Sequence, residues 1–500
     1  MTSLTEVPGE PSSAVTGPGG SLSDQLDGAH VAVVGLGRTG RAVVDALATL
    51  GARIHVFDSR ESSVEMLQTP VASTTVADAE ATAAALAQSP ARLLVVSPGV
   101  PATGPVLRGA AAAGIETWSE VELAWRIQQD SARPHVPWLT LTGTDGKTTT
   151  VSMLSAILEA QGLTAPAVGN IGTPVIEAVL AGSADALAVE LSSFQLHTTR
   201  TLAPLASACL NLAADHLDWH GGLEAYAQDK ARVYSRTRLA AVYNLADAAT
   251  EDMVRQADVV EGARAIGLTL GVPSAGQIGL VEDAVVDRAF GPDRFREAIE
   301  LFSLGDLAQL APAGADLPAH IVSDAMAAAA LGRAAGVVPE DVRAALRAFR
   351  PGAHRIELAA TVDGVRYVDD SKATNAHAAR ASLGAQADGT TVWIVGGLAK
   401  GGRFEDLVAN VSGKLRAVVV IGVDQEPWKS ALAGIDVPVT YIDPASPEPM
   451  DDAVAAARSH ARRGDVVLLA PACASMDQFA SYAERGERFA EAARRNDDPH

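Results

Sequence analysis

Short apolar runs, each closed by a glycine or proline turn and followed by a stretch of helical period, recur along the chain. The run at 30–34 ends in a glycine turn, a helical stretch covers 41–50, and a second run occupies 53–57. Strand, helix and strand at this spacing predict a βαβ unit on a parallel sheet. The run at 93–96 predicts another strand, ending in Ser-Pro-Gly-Val-Pro. The proline-containing stretch 131–138 reads as a connection, after which the pattern restarts. Residues 139–141 lead through a glycine loop into a helix over 148–160, with strands predicted at 186–191, 206–212, 240–245 and 264–269. An alanine-rich helix follows His320, and another covers 340–349 and stops at Pro351-Gly352. A third series has strands near 365–369, 391–395, 417–421, 438–442 and 466–470, and a final helix over 475–494. The fold class is α/β, with three consecutive blocks at 28–134, 135–350 and 351–500. Residues 1–27, rich in Ser, Gly and Pro and without an aromatic residue, read as a disordered tail.

Composition narrows the function classes. Hydrophobic residues make up 48% of the 500 and charged residues 20%, which excludes a wholly disordered chain and permits large cores. The net charge of −21 repels nucleic acid backbones and anionic lipid, so neither is expected as a partner. No run supplies the ~20 apolar residues of a membrane span, and the first residues lack the basic start and apolar run of a secretory signal. Two cysteines, Cys209 and Cys473, cannot build a disulfide framework. A soluble protein of the reducing cytoplasm is the expectation.

Two glycine loops carry the first chemistry. Gly35-Leu-Gly-Arg-Thr-Gly40 follows a strand and opens a helix, and Asp58 lies 23 positions after Gly35. Such a GxGxxG lets backbone approach a diphosphate seated on a helix N-terminus, and with the acid it suggests a dinucleotide such as NAD. Any nucleotide diphosphate meets the same demands, and a tight turn without ligand also fits. The second loop, Gly143-Thr-Asp-Gly146-Lys147-Thr148-Thr149, is a shortened P-loop with two residues between its glycines, where the common form has four. Its backbone N–H groups suit phosphates, Lys147 a β/γ-phosphate, and a threonine hydroxyl Mg²⁺. A nucleoside triphosphate there argues against a plain dehydrogenase. Glu190, at the end of a strand, is placed either for Mg²⁺ or simply toward water. Asp215-His216-Leu-Asp218-Trp-His220 reads as a cation site or a polar capping loop. Lys230, by spacing alone, reads as a solvated helix lysine.

Together these segments resemble the Mur ligase family over nearly the whole chain after the tail. The carriers are GLGRTG (35–40), SPGVP (97–101), TGTDGKTTT (142–150), GNIGTP (169–174), ELSSFQL (190–196) and NLAADHLDWH (211–220). HRIE (354–357), DDSKATN (369–375), PACASMDQF and YAERGERF (within 471–489) follow, and DSKATN and PACAS point to the branch that adds D-glutamate. The resemblance implies a Rossmann-like uridine-diphosphate domain, a central P-loop ATPase-like domain and a Rossmann-like amino-acid domain. It implies an ATP-dependent amide ligase that extends UDP-N-acetylmuramoyl-L-alanine with D-glutamate through an acyl phosphate, for peptidoglycan synthesis. The small-molecule substrates are its expected partners, two Mg²⁺ ions its cofactors, and a cytoplasmic monomer its form.

Residue by residue, the resemblance puts Arg38, Thr39, Asp58, Ser59, Arg60, Asn170, Ser192 and Gln195 at the uridine substrate. Gly143, Thr144, Asp145, Gly146, Lys147, Thr148, Thr149, Asp324, Arg355 and Asp370 fall at ATP, with His354 near the nucleotide. The catalytic set is Lys147, Glu190, His216 and Lys230. Thr148, Glu190, His216 and Lys230, the last as a carbamate, fall at the metal ions. Lys372, Thr374, Lys400, Ser475 and Tyr482 fall at D-glutamate, a dicarboxylate that calls for a lysine and hydroxyl donors. Cys473 reads as a packed thiol. A carbamate makes chemical sense because it turns an ammonium into an anionic oxygen donor, the kind Mg²⁺ accepts.

The chain also departs from the pattern. Asp145 stands where many members carry Asn, and His320-Ile-Val-Ser-Asp324 replaces His-Asn-x-x-Asn at the adenine stretch. A carboxylate only accepts hydrogen bonds, so weaker or less selective ATP binding is expected. Ala399 replaces a common acid, and Tyr482 stands where Phe is frequent. Other readings are a different Mur ligase, a folylpolyglutamate synthase-like ligase, an NAD-dependent oxidoreductase resting on GxGxxG and Asp58, or a silent nucleotide-binding paralogue.

Overall fold

The computed structural model describes residues 21–311, 317–350, 356–399 and 402–495. Three sheets organise them. The first is wholly parallel, in the order Ser73–Val76, Arg53–Asp58, His30–Val34, Leu93–Val96, Glu116–Trp118. Val31–Val34 is covered on both faces, which is why it reads as unbroken valine and alanine rather than an alternating pattern. Strand order reverses between His30–Val34 and Leu93–Val96, and ligands of open α/β sheets bind outside the strand ends at such a point. The Gly35 and Ser97 loops meet there, since a Cβ on Gly35 would lie 2.6 Å from Cβ of Ser97.

The second sheet has nine strands, in the order Ile299–Ser303, Ala284–Asp287, Gln277–Val281, Arg264–Thr269, Ala240–Asn244, Ala206–Cys209, Trp138–Thr142, Leu187–Glu190, Ala167–Gly169. Its first three strands form an antiparallel meander that the apolar pattern did not announce. Trp138–Thr142 is again the reversal point, and both the 143–146 loop and Glu190 lie at strand ends beside it. The third sheet runs Glu357–Val362, Val365–Asp369, Val466–Leu469, Thr391–Gly396, Leu415–Ile421, Val439–Tyr441, parallel except for its first pair. By compactness the described residues fall into two units. One runs to Ser303 and includes Ser323–Phe349; the other is Leu304–Val322 with the residues from 350 onward.

Two expectations meet differences. Within the expected tail, Leu22–Leu26 is a short helix. Ser21 and Asp24 form a reciprocal cap, and Leu22 and Leu26 are buried. The final helix is Tyr482–Arg494, shorter than 475–494. Side chains in the preceding stretch bond to another loop: Gln478 Oε1 accepts from Gly422 N and Asp477 Oδ2 from Val423 N. The helix then starts at Ser481, whose Oγ accepts from Glu484 N.

Candidate active site

The phosphate loop leaves strand Trp138–Thr142 and enters helix Lys147–Ala160 through Gly146, at φ +79°. Only glycine takes that conformation freely, and a side chain there would also run into the Asp324 carboxylate. Asn211 braces the loop. Its Oδ1 accepts from Thr144 N (3.0 Å) and Asp145 N (2.9 Å), and its Nδ2 donates to Asp145 O (3.1 Å). Thr144 Oγ1 donates to Ala213 O and lies 3.1 Å from the Tyr226 hydroxyl. The first turn of the helix, whose N–H groups have no intrahelical acceptor, thereby faces a preformed anion cradle.

Lys147 folds back on this loop, its Nζ donating to the carbonyls of Gly143 (2.8 Å) and Thr144 (2.6 Å). Lys230 reaches the same carbonyl of Gly143 at 2.7 Å. It is 2% exposed, so the solvated-lysine reading is overturned: helix Leu223–Ala231 turns this side chain inward under the loop. Burial, with Lys147 as a nearby like charge, lowers its pKa to about 7. The Nζ also lies 4.7 Å from the centre of the Tyr226 ring.

Glu190 ends strand Leu187–Glu190 and is 1% exposed. Its Oε2 accepts from Thr148 Oγ1 (2.9 Å) and its Oε1 from Asn170 Nδ2 (2.9 Å). The structure thus joins Thr148, Asn170 and Glu190, three positions far apart in the chain. A buried carboxylate held by a neutral hydroxyl and a neutral amide suits a hard cation that also takes phosphate oxygens. His216 caps helix Leu217–His220 in the left-handed region (φ 51°), with its ring edge-on to Phe194 at 4.9 Å. Among the described residues, no three His, Cys, Asp or Glu side chains cluster as a self-sufficient metal site. An ion here would draw on the Glu190 carboxylate and the Thr148 hydroxyl and would need further oxygen donors. Ser192 and Gln195 cap one another at helix Ser193–His197, so both already serve the backbone.

At the first glycine loop, a Cβ on Gly40 would collide with the Gly35 carbonyl, whereas Gly37 is open. Asp58 is buried beneath the loop; its Oδ2 accepts from Leu36 N (2.6 Å) and its Oδ1 from Arg60 N (2.9 Å). A carboxylate so engaged braces the turn, where the NAD reading needs it to meet a ribose. Arg38 extends from the loop to the Gly172 carbonyl (2.8 Å) and Glu177 (3.0 Å). Thr39 follows it in the first helical turn, while Ser59 and Arg60 are exposed.

In the second unit, Lys372 Nζ stands 4.0 Å over the ring of Tyr482. Ser371 Oγ donates to Tyr482 O (2.7 Å), and Asp370 accepts from Ser382 Oγ. Arg485, fully buried, donates to Ser371 Oγ, Ser371 O and Cys473 O, tying the loop of Lys372 to the loop of Ser475. Burial lowers its pKa to about 10. Ser475 is buried, and Thr374 lies in the turn before helix Ala376–Gly384. Lys400, His354 and Arg355 lie outside the described residues. The residue reading missed Asn211 and Arg485. Arg485 shares an i, i+4, i+7, i+8 stripe with Phe489, Ala492 and Ala493, a signal that could have marked it as buried.

Residues 29–119 match the Mur ligase MurD-like N-terminal domain, 141–269 the Mur ligase middle domain, and 354–473 the Mur ligase glutamate ligase domain. The UDP-N-acetylmuramoylalanine--D-glutamate ligase of Streptomyces coelicolor is 48% identical over 95% of this chain and 99% of its own. The protein of the same name from Thermobifida fusca is 47% identical over 94% and 99%. The chain belongs to the Mur ligase family. Solved Mur-type ligases share the fold. A pseudomurein peptide ligase type C from Methanothermus fervidus (15% identity, TM-score 0.54) covers 93% of this chain and 99% of its own. A UDP-N-acetylmuramate-alanine ligase from Thermotoga maritima (17%, 0.52) covers 92% and 98%. As a Mur ligase, the chain is an ATP-dependent ligase of α/β domains, which sets aside the oxidoreductase reading. No helix among the described residues is long and apolar enough to cross a membrane.

Proposed function

We propose that this Mur ligase joins D-glutamate to UDP-N-acetylmuramoyl-L-alanine, consuming ATP and releasing ADP and phosphate, in peptidoglycan precursor synthesis. The observation that carries the reading is 48% identity, over nearly the full length of both chains, to a D-glutamate ligase of that name. Residues 28–134 take the uridine substrate, 135–350 take ATP, and 351–500 take the amino acid. The enzyme acts as a cytoplasmic monomer.

The alanyl carboxylate attacks the γ-phosphorus, the bond to the β-phosphate oxygen breaks, and an acyl phosphate and ADP form. The amine of D-glutamate then attacks the acyl carbon, loses a proton, and expels phosphate. A free carboxylate is a poor electrophile, and the phosphoryl group makes it a good one. Lys147 exchanges its two loop carbonyls for β/γ-phosphate oxygens and neutralises charge as it develops. Lys372 and the hydroxyls of Thr374, Ser475 and Tyr482, with Lys400, hold the dicarboxylate. Arg38, Thr39 and Asn170 meet the uridine substrate, and Asp58 holds the loop that does so.

Thr148, Glu190, His216 and Lys230 are the residues that would hold two Mg²⁺ ions. When bound, these ions supply charge neutralisation on the polyphosphate. Lys230 joins them as a carbamate: its neutral amine adds to the carbon of CO₂ and a proton leaves. A pKa of about 7 leaves a substantial neutral fraction at neutral pH, where a free lysine has almost none. Phosphate release should require the uridine substrate and D-glutamate together; steady release from ATP alone would contradict the reading.

A further inference from the structure

Beside the candidate cation site lies a buried chain of polar groups that the mechanism above does not use. Asp229 is 5% exposed and directly precedes Lys230. Its carboxylate accepts from His197 Nδ1 (2.9 and 3.0 Å to its two oxygens), from His220 Nδ1 (2.9 Å) and from Arg232 Nε (3.3 Å). An ionised carboxylate has no proton to give, so both imidazoles present N–H at Nδ1. The Nε2 of a neutral His220 then accepts from Ser193 Oγ, 3.0 Å away.

Serine, histidine and aspartate in this order have the connectivity of a hydrolase triad. Ser193, His220 and Asp229 are all buried, and the hydroxyl opens a helix inside the fold. No substrate carbonyl reaches it, so nucleophilic catalysis does not follow.

What the chain does mechanically is more specific. Glu190 is followed at once by helix Ser193–His197, which contributes Ser193 and His197. His216 caps helix Leu217–His220, which contributes His220. Lys230 sits on helix Leu223–Ala231 next to Asp229 itself. The first two helices have five and four residues, far below the ~12–15 at which an isolated helix begins to hold together. Their places must come from tertiary contacts. Consecutive helix positions point about 100° apart. One neighbour therefore faces the histidines while the other faces the phosphate loop, and fixing Asp229 fixes the direction of Lys230.

We propose that Asp229 is the positioning residue of the cation site: through His197 and His220, one carboxylate pins the segments that carry Glu190, His216 and Lys230 into a single arrangement. The inference rests on reading those three residues as cation ligands. Phe194 supports the pin from the apolar side, with its ring 4.9 Å from that of His216 and 5.5 Å from that of His220. The bonds are charge-assisted; losing a direct partner of a ligand typically costs 10–100-fold in metal affinity, and Asp229 acts one step further out, through the segments, so the lower end of that range is expected.

The test uses Asp229→Asn, which keeps shape but removes charge, and His197→Gln, at the partly exposed end of the chain. Mn²⁺ binding in the presence of ADP is followed by electron paramagnetic resonance. Lys230 carbamate is followed by carbon NMR with ¹³C-bicarbonate in metal-free enzyme. Both variants should bind Mn²⁺ about tenfold or more weakly, and the carbamate signal should fall. Both variants are first shown to be folded by circular dichroism, and the melting temperature of Asp229→Asn is expected to fall, because a buried charged network loses its centre. Should Asp229→Asn fail to fold, His197→Gln carries the comparison alone. Parental Mn²⁺ affinity and carbamate signal in a folded variant would overturn the inference. Glu190→Gln separates the two layers of the argument. If it abolishes Mn²⁺ binding while Asp229→Asn does not, the positioning role falls and the cation site stands. If Glu190→Gln also changes nothing, the cation reading itself is wrong.

Discussion

Lys230 and Asp324 show how far a single side chain depends on what surrounds it. Lys230 occupies a position that spacing assigns to solvent, yet it is buried under the phosphate loop with its pKa near 7. Helical period alone could not reveal this, because Asp229 and Lys230 are consecutive polar residues that both turn inward. The passage from strand through the loop glycines into a helix at Lys147 was legible because a Gly-Lys-Thr run marks such a junction. Asn211 was not, because its amide serves the backbone of a loop 66 positions away. Two predictions belong at this scale. Lys230→Ala should lose at least about a hundredfold in kcat, and added acetate should restore part of it by supplying the missing carboxylate. Acetate without effect at any concentration would count against the carbamate. Asp324 lies against the α-carbon of Gly146, so with ATP seated as proposed its charge would stand beside the polyphosphate. Asp324→Asn should lower the KM for ATP severalfold and raise the preference for ATP over GTP, measured by initial rates with each nucleotide.

At the scale of elements, the helix Glu120–Gln129 shows how the first and second sheets are joined within one unit. Ser119 caps it, and the loop beyond the second sheet's Leu187–Glu190 strand packs across its start. Glu122 accepts from Arg200 N (2.7 Å), Thr201 N (2.9 Å) and Arg126 Nε (2.7 Å), so its buried charge is fully matched. Glu120 is different. Its Oε1 accepts from Ile176 N (2.6 Å), while its Oε2 is buried without a hydrogen-bond partner. Burial raises its pKa from 4.5 to about 7, with Glu177 adding repulsion and the Ile176 N–H opposing. Below pH 4.5 the carboxyl is protonated in both the folded and the unfolded chain. Between 4.5 and about 7 only the folded chain holds the proton, so this contribution to stability is lost as pH rises. The loss at pH 8 is on the order of 3 kcal/mol. Glu120→Gln should therefore gain stability relative to the parent between pH 5.5 and 8, read from urea midpoints at each pH. Parallel pH profiles would contradict it. Element boundaries were legible where a strand runs into glycine. They were lost where side chains bond to a distant loop, as Asp477 and Gln478 do ahead of the last helix.

On the whole-molecule scale, three α/β blocks and largely parallel sheets could be read from apolar runs of four to seven residues separated by helical stretches. The meander at 277–303 could not, because its strands are short and carry Gly279 at the place where Gly271 backbone approaches. Nor could the grouping of Leu304–Val322 with the second unit, which depends on packing rather than order along the chain. A chain of net charge −21 that handles a uridine diphosphate, a triphosphate and a dicarboxylate has to concentrate its cations locally. Lys147 does so at the phosphate loop, and Lys372 does so in the second unit. The most direct measurement offers the enzyme UDP-N-acetylmuramoyl-L-alanine and ATP with equimolar D-glutamate, L-glutamate, L-lysine and D-alanyl-D-alanine. The uridine product is then identified by mass and by the chirality of its added residue. The expected product is extended by one D-glutamate, with one phosphate released for each molecule formed. A product carrying any other acceptor, or none at all from folded enzyme with magnesium present, would contradict the proposed reaction.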